Sequence, residues 1–121
     1  KNAHFSYYNN IDMTLDTFPY NGHMTTCESL WMGVPVLTLE DPKHFGRVSA
    51  SLLTALALED WITQTPASYV QTALEKAQHK EELIRLRQDL RPLIQQSDLG
   101  NVCHFLQVLE GHYQKVWSDF C

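Results

Sequence analysis

Residues 15–39 read LDTFPYNGHMTTCESLWMGVPVLTL, and most of the fold prediction rests on this stretch. This stretch overlaps the segment 11–20, in which apolar and polar residues alternate up to Phe18-Pro19. That pattern is typical of a short strand ending at a proline turn. The apolar positions are Ile11, Met13 and Leu15, and the polar positions are Asp12, Thr14 and Asp16.

A helix and a second strand follow within the same stretch. Thr25 and Glu28 match a capping box, and Gly33 and Pro35 are typical of a helix stop, so a helix is expected from about Thr25 to Met32. The run VPVLTL is apolar and β-branched, as in strands buried on both faces of a parallel sheet. Strand, helix and strand together predict a βαβ unit.

The remaining sequence predicts mostly helices. RVSASLLTALAL (47–58) is helical, DWIT (60–63) predicts a last short strand, and a helical tail covers about 67–121. Pro92 predicts a kink or break near Leu90, and Asn101 predicts an N-cap. The expected apolar faces are Val48, Leu52, Ala55 and Leu56; Tyr69, Val70, Ala73, Leu74 and Ala77; Leu83, Leu86, Leu90 and Leu93; and Val102, Phe105, Leu106, Leu109, Tyr113, Val116, Trp117 and Phe120.

The predicted fold class is α/β, with two or three parallel strands and helices, which is half of a doubly wound sheet rather than a whole one. The chain of 121 residues is 44% hydrophobic and 19% charged, typical of one globular domain over residues 1–121. It opens on Lys1 without a signal or transit pattern and reads as an excised piece. We therefore expect the missing strands in an N-terminal part upstream of Lys1.

Charge and cysteine content exclude several classes of function. A formal net charge of −5 gives no basic patch for a nucleic acid, and no apolar run has the length of a membrane span, so neither partner is expected. Cys27, Cys103 and Cys121 lack the spacing of a zinc site or a redox pair. Reduced thiols in a cytoplasmic protein fit this pattern best.

The loop DTFPYNGHMTT (16–26) is the candidate binding site. It follows a strand and precedes a helix, where free backbone amides and the positive end of the helix dipole can bind a phosphate or diphosphate. Glu28, one turn into the helix, can accept hydrogen bonds from both hydroxyls of a ribose. Purely structural roles remain open: Thr25 and Glu28 as caps, His23 as a turn residue and Gly22 as a left-handed turn. Neither a GxGxxG motif nor a P-loop occurs in the chain.

Residues 15–39, the segment GRVSASLLTALAL (46–58) and HYQKVW near the C-terminus (112–117) resemble the C-terminal catalytic lobe of O-GlcNAc transferases and SPINDLY-type proteins, including bacterial relatives with tetratricopeptide repeats. The resemblance implies a GT-B architecture, of which this chain is half of a Rossmann-like nucleotide-binding lobe. It also implies inverting, metal-independent transfer of N-acetylglucosamine from UDP-GlcNAc to Ser or Thr of protein acceptors. The catalytic base is then expected in the missing N-terminal part, and the isolated chain is expected to be inactive.

The same resemblance assigns the donor-binding residues. Lys1 and His4 match positions that contact the nucleoside, His23 and Thr25 match positions that contact the donor at the helix start, and Glu28 replaces an acidic residue that holds the ribose. The implied donor-binding set is Lys1, His4, Asn21, Gly22, His23, Thr25, Thr26 and Glu28.

Two departures from the family pattern leave alternatives open. Met24 stands where the family usually has Thr, and Tyr7 stands where some members have Arg, so one hydroxyl and one cation are absent. Asn21-Gly22-His23 resembles the GlcNAc-transferring branch, whereas the SPINDLY branch implies GDP-fucose. The alternatives are a GDP-fucose-dependent protein O-fucosyltransferase and a non-catalytic protein-interaction module. The sequence leaves the oligomeric state open.

Overall fold

A computed structural model describes residues 2–121, so Lys1 lies outside the described residues. In this range the chain forms six α-helices, three short 3₁₀ turns and one three-stranded sheet. The helices are α1 (Asn2–Tyr7), α2 (Met24–Trp31), α3 (Val48–Thr54), α4 (Pro66–Gln78), α5 (Lys80–Gln96) and α6 (Val102–Phe120), and the strands are β1 (Thr14–Leu15), β2 (Val36–Leu39) and β3 (Ile62–Thr63).

The sheet is parallel, with strand order β1-β2-β3. Thr14 pairs with Val36, and Thr38 pairs with Ile62. β2 is the central strand and is buried almost throughout, as its β-branched, apolar sequence predicts. The predicted α/β fold with parallel strands is therefore confirmed. The core around the sheet consists of Leu30, Val36, Leu37, Leu53, Leu56, Leu58, Trp61, Tyr69, Leu86 and Leu90.

The first strand differs from its prediction. Only Thr14 and Leu15 are in strand conformation, and the expected apolar face is not the buried one: Leu15 is 54% exposed, whereas Asp16 is 7% exposed. Asp16 is buried because two backbone amides of the loop that follows β1 and the Thr38 hydroxyl on β2 surround its carboxylate. Hydrogen bonding thus reversed the order of burial that side-chain polarity alone predicts.

α2 starts one residue earlier than predicted, and the capping box is absent. His23 occupies the N-cap position, no side chain caps the helix, and Glu28 bonds to His4 instead of the N-cap backbone. The predicted stop is confirmed: Gly33 has φ of +80°, and Val34 N donates to Ser29 O at 2.9 Å. A Cβ at Gly33 would lie 2.5 Å from the backbone oxygen of Arg87, so this crossing with α5 requires glycine.

Helices α3 and α4 pack against the sheet and α5 packs on α2 and α4, with corrections to the predicted faces of α3 and α4. In α3 the buried residues are Ser49, Ala50 and Leu53, while Ala55 is exposed after the helix end. In α4 only Tyr69 is buried, and Val70 and Leu74 lie in solvent.

Helix α5 buries Leu86 and Leu90 and continues through Pro92 to Gln96, so the predicted break is wrong. Packing of Leu93 and Ile94 on the core, together with the hydrogen bond from Arg91 Nε to Trp31 O (2.9 Å), holds the turn that contains the proline.

α6 begins at the predicted cap, where Asn101 Oδ1 accepts from His104 N at 3.0 Å. Its predicted core face is wrong, because no residue of this 19-residue helix is buried. All but Leu109 of the apolar residues predicted for this face are exposed. None of the helices in the described range is long and apolar enough to cross a membrane.

Candidate functional site

The candidate site lies where the loops after β1 and β2 meet. These are the β1–α2 loop (16–23) and the β2–α3 loop (40–47), both at the carboxyl edge of the parallel sheet. Asn21 N donates to Phe45 O at 2.9 Å, which joins the two loops directly. The sequence predicts a site on the first loop alone, and the second loop was not expected to contribute.

Asp16 anchors the β1–α2 loop from its buried side. Its Oδ1 accepts from Gly22 N (2.8 Å) and Thr17 N (3.0 Å), and its Oδ2 accepts from Thr38 Oγ1 on β2 (2.8 Å). The backbone carbonyl of Asp16 accepts from Tyr69 Oη at 2.8 Å. Four donors therefore fix the point where the strand becomes the loop.

The N-terminus of α2 opens onto this loop. The amide of Cys27 is the first in this helix to bond to the backbone, donating to His23 O at 3.1 Å. Within residues 2–121, the amides of Met24, Thr25 and Thr26 have no acceptor, as expected for an uncapped first turn. Three free amides at the positive end of a helix are suited to an anion.

The two threonines of this turn have different environments. Thr25 is exposed at the open end of the helix, whereas Thr26 is buried and its Oγ1 lies 3.0 Å from Ser49 Oγ. Ser49 Oγ also donates to Gly22 O at 3.1 Å. The hydroxyl of Thr26 therefore ties α2 to α3, and only the backbone of Thr26 faces the site.

Gly22 is held too closely for a side chain. An added Cβ would lie 2.6 Å from Thr25 Oγ1 and 2.7 Å from Thr26 Oγ1. The φ of Gly22 is not in the left-handed region, since Gly33 is the glycine of the described chain that has a positive φ. Close approach of the helix start, rather than a left-handed turn, therefore explains the glycine at this position.

Asn21 is 1% exposed and contributes to the loop from within. Its Nδ2 donates to Thr17 O at 3.1 Å, while Oδ1 has no hydrogen-bond partner in the described residues. A buried amide oxygen without a partner is rare in folded proteins. Asn21 thus shapes the loop and keeps one unsatisfied acceptor.

His4 and Glu28 are brought together although 24 positions separate them. His4 Nε2 lies 3.0 Å from Glu28 Oε2, and Glu28 Oε1 accepts no hydrogen bond within residues 2–121. Burial and the nearby Glu28 charge raise the pKa of the Tyr8 phenol, whose ring meets the His4 ring edge-on. Glu28 therefore presents one bonded and one free carboxylate oxygen, one turn below the free amides.

Three rings line the mouth of the site. Tyr20 is nearly parallel to His23, with ring centroids 5.9 Å apart and planes 14° apart, and to Phe45, at 6.0 Å and 7°. Lys43 Nζ lies 5.7 Å from the centroid of the Phe45 ring. The two loops therefore share an aromatic stack in addition to the backbone hydrogen bond.

Comparison with known proteins identifies the family. The sequence profile of Glycosyl transferase family 41 matches residues 1–109. The chain belongs to this family. It is 38% identical over 118 residues to a tomato protein named probable UDP-N-acetylglucosamine–peptide N-acetylglucosaminyltransferase SPINDLY, and 39% identical to its Arabidopsis thaliana counterpart. An Arabidopsis protein with the same enzyme name, SEC, is 34% identical over 111 residues.

A solved structure of an O-GlcNAc transferase mutant from Thermobaculum terrenum matches with a TM-score of 0.86 and 38% identity, over 98% of this chain and 23% of that one. The family 41 match confirms the predicted resemblance and the fold of a GT-B catalytic lobe. The SPINDLY matches cover 98% of this chain and 13% of each SPINDLY relative, and the SEC match covers 91% of this chain and 11% of the SEC relative.

In this family 41 chain, the positions that depart from the family pattern are both in solvent. Met24 is 70% exposed in the first turn of α2, and Tyr7 is 66% exposed at the end of α1.

Burial raises the pKa of the Cys27 thiol, with a smaller contribution from Glu28, so this cysteine stays protonated at neutral pH and is a poor nucleophile. No group of three or more metal-ligating side chains occurs among the described residues.

Asp16, Ser49 and Phe45 are the residues of the site that sequence reasoning missed. The signal for Asp16 was a carboxylate directly after a strand, although alternation placed it on the polar face. Ser49 and Phe45 have no local signal, because each meets the β1–α2 loop from more than 20 positions away.

Proposed function

We propose that this chain is the donor-binding lobe of an inverting glycosyltransferase, which binds UDP-GlcNAc and transfers N-acetylglucosamine to Ser or Thr hydroxyls of proteins. The observation that carries the proposal is the uncapped start of α2, with three free amides beside His23 and Thr25 and with Glu28 one turn away. The family membership and the names of the relatives support the choice of donor.

Each part of the donor has a counterpart in this arrangement. The diphosphate would rest on the amides of Met24, Thr25 and Thr26, with the Thr25 hydroxyl and the His23 imidazole as further donors. The ribose hydroxyls would donate to Glu28, whose free Oε1 is available without breaking the bond to His4. Lys1 and His4 would contact the nucleoside.

Charge stabilisation of the departing diphosphate would come from the same helix end. As the bond to the sugar breaks, negative charge develops on the diphosphate, and preorganised amides stabilise it without reorganising. We therefore propose metal-independent chemistry. The catalytic base belongs to a part of the protein outside this chain.

The first prediction concerns Glu28. Glu28→Ala should weaken UDP binding by about 1–3 kcal/mol, because the ribose hydroxyls lose their acceptor. UDP is titrated into the chain at millimolar concentrations, and amide NMR shifts are followed over Asn21–Glu28. Glu110→Ala, an exposed carboxylate of α6, is the matched control.

Equal UDP affinity for Glu28→Ala and Glu110→Ala would reject the role of Glu28. A parallel titration with GDP separates the two donor classes. Tighter binding of GDP than of UDP would replace UDP-GlcNAc with GDP-fucose, and no shift with either nucleotide would favour the protein-interaction module.

The second prediction is that donor binding needs no metal. The UDP titration in EDTA should give the same affinity as in millimolar Mg²⁺, since the helix terminus supplies the positive potential that a cation would otherwise supply. Binding that vanishes in EDTA and returns with Mg²⁺ would overturn the proposed mechanism.

A further inference from the structure

The aromatic stack at the mouth of the site joins the two loops through their side chains. Tyr20 belongs to the β1–α2 loop and Phe45 to the β2–α3 loop, and their rings are within 7° of parallel. His23 lies 14° from the plane of Tyr20. The imidazole at the N-cap of α2 is thus linked through Tyr20 to a phenyl ring 22 positions further along the chain.

The position of Phe45 is well defined because several contacts hold the β2–α3 loop in place. Its carbonyl accepts from Asn21 N, and within its own loop Asp41 N donates to Gly46 O at 2.9 Å. An added Cβ at Gly46 would lie 2.5 Å from Asp41 Cβ and 3.1 Å from Pro19 O. The β2–α3 loop therefore packs closely against Pro19 of the β1–α2 loop at Gly46, and Lys43 Nζ lies over the Phe45 ring.

His23, in contrast, has few restraints of its own. It is exposed, caps no backbone amide and makes no side-chain hydrogen bond within residues 2–121. An imidazole in this position would rotate freely about its side-chain torsions, and ordering it on binding a ligand would cost entropy. The parallel Tyr20 ring is its one aromatic contact in the described chain.

Core packing does not explain Tyr20. Its side chain is 63% exposed, so the ring contributes little buried area. Phe18, in the same loop, shows the ordinary arrangement: its ring meets the buried Tyr69 edge-on at 5.9 Å and 75°. Tyr20 instead lies flat against two other rings, in the solvent-facing mouth of the site.

We infer that Tyr20 and Phe45 are positioning residues, which hold the imidazole of His23 ready for the diphosphate of the donor. This inference rests on the proposed function and adds the β2–α3 loop to the donor site. An aromatic pair of this kind is worth about 0.5–1.5 kcal/mol beyond its buried area. Removing the Phe45 ring should therefore weaken UDP binding about 2- to 12-fold, although Phe45 reaches His23 only through Tyr20.

The test uses Phe45→Leu, with Phe45→Tyr as the variant that restores a ring and Phe18→Leu as the matched loss of a phenyl from the first loop. Two quantities are measured on the 121-residue chain: the ring-proton NMR shifts of His23 without ligand, and the affinity for UDP from amide shifts. Ring currents of Tyr20 displace the His23 signals, so Phe45→Leu should move them toward those of the exposed His104 and His112. Phe45→Tyr and Phe18→Leu should leave them in place.

A double-variant cycle with His23→Ala completes the test. If Phe45 acts through His23, Phe45→Leu costs affinity in the parent chain and nothing in the His23→Ala background. Additive losses of UDP affinity, or unchanged His23 signals in Phe45→Leu, would overturn the inference. Either outcome would leave the proposed donor site itself unaffected. Absence of UDP shifts in the parent chain would instead reject the donor site itself, and the ligand-free His23 signals would still report on the stack.

Discussion

Asp16 holds the β1–α2 loop in the shape that leaves the amides of α2 free. Its carboxylate takes two amides of the loop and the hydroxyl of Thr38, with no cationic side chain bonded to it in the described residues. Hydrogen bonds to a charged group are stronger than those between neutral groups, and the low dielectric around a buried carboxylate enhances them further. One buried side chain thus connects strand, loop and helix start.

The third prediction follows from this arrangement. Asp16→Asn should destabilise the fold by roughly 1–3 kcal/mol. The asparagine NH₂ group replaces one carboxylate oxygen and cannot accept a hydrogen bond, so it would face an N–H or hydroxyl donor that has lost its acceptor. Urea unfolding followed by circular dichroism measures the loss. Asp12→Asn makes the same chemical change at an exposed position just before β1, where little loss is expected. Equal stabilities of the two variants would contradict the anchoring role.

Helix α4 is joined to the site through a single phenol. Tyr69 is buried and donates its hydroxyl to Asp16 O at 2.8 Å. Burial, and secondly the negative charge of Asp16, raise the pKa of Tyr69 from its ordinary value of 10.0 to about 12. The folded state therefore favours the protonated phenol, which is the form that can donate this hydrogen bond.

The fourth prediction is an alkaline loss of stability. Since the folded pKa is above the unfolded one, the contribution of Tyr69 is fully present below pH 10 and is lost as pH rises toward 12. The loss should reach up to about 2–3 kcal/mol. Unfolding free energies at pH 8 and pH 11.5 measure it.

Tyr69→Phe should remove that component of the pH dependence, while Tyr113→Phe, on exposed α6, should keep it. Lys76 titrates in the same range: its hydrogen bonds to Asp60 and Glu82 outweigh burial and raise its pKa. Both tyrosine variants keep Lys76, so its contribution to the pH dependence cancels when the two are compared. Identical alkaline curves for both variants would disprove the contribution of Tyr69.

The whole molecule is one layer of sheet covered by helices, with its last helix exposed along its length. α6 carries Phe105, Tyr113, Trp117 and Phe120 in solvent, although their spacing is that of a core-facing stripe. Nothing within residues 2–121 covers it.

The fifth prediction is that the 121-residue chain alone does not transfer sugar. Positioning of the acceptor against the donor can supply about 7–11 kcal/mol of a barrier, and the proposed catalytic base lies outside the 121 residues that hold the proposed donor site. A transfer assay with radiolabelled UDP-GlcNAc on the chain, beside a full-length family 41 enzyme, measures this. Comparable turnover by the chain would show that the active site is misplaced and that the base lies within these residues.

Local sequence predicted the elements of this fold well. Three features depend only on neighbouring residues, so the sequence pattern is enough to predict them. They are the β-branched run of β2, the glycine that ends α2 and the Asn101 N-cap. The family-like stretch 15–39 likewise located the loop at the sheet edge. Predictions at Thr25–Glu28 and Pro92 were wrong because contacts between distant residues, His4 with Glu28 and Trp31 with Arg91, compete with the local preference.

What depended on three-dimensional contacts was the chemistry of each side chain in the site. Asp16 is buried, Thr26 turns to Ser49, Glu28 pairs with His4, and Tyr20 stacks on Phe45. Thr38, which bonds to Asp16, and the partners Ser49, His4 and Phe45 are each more than 20 positions away along the chain. Parallel strands bring separate loops to one edge of the sheet, which decides the groups that meet there. Periodicity and motif spacing report only on neighbours in sequence, so they established the elements and the family, while packing alone determined which hydrogen-bonding groups remain free for a ligand.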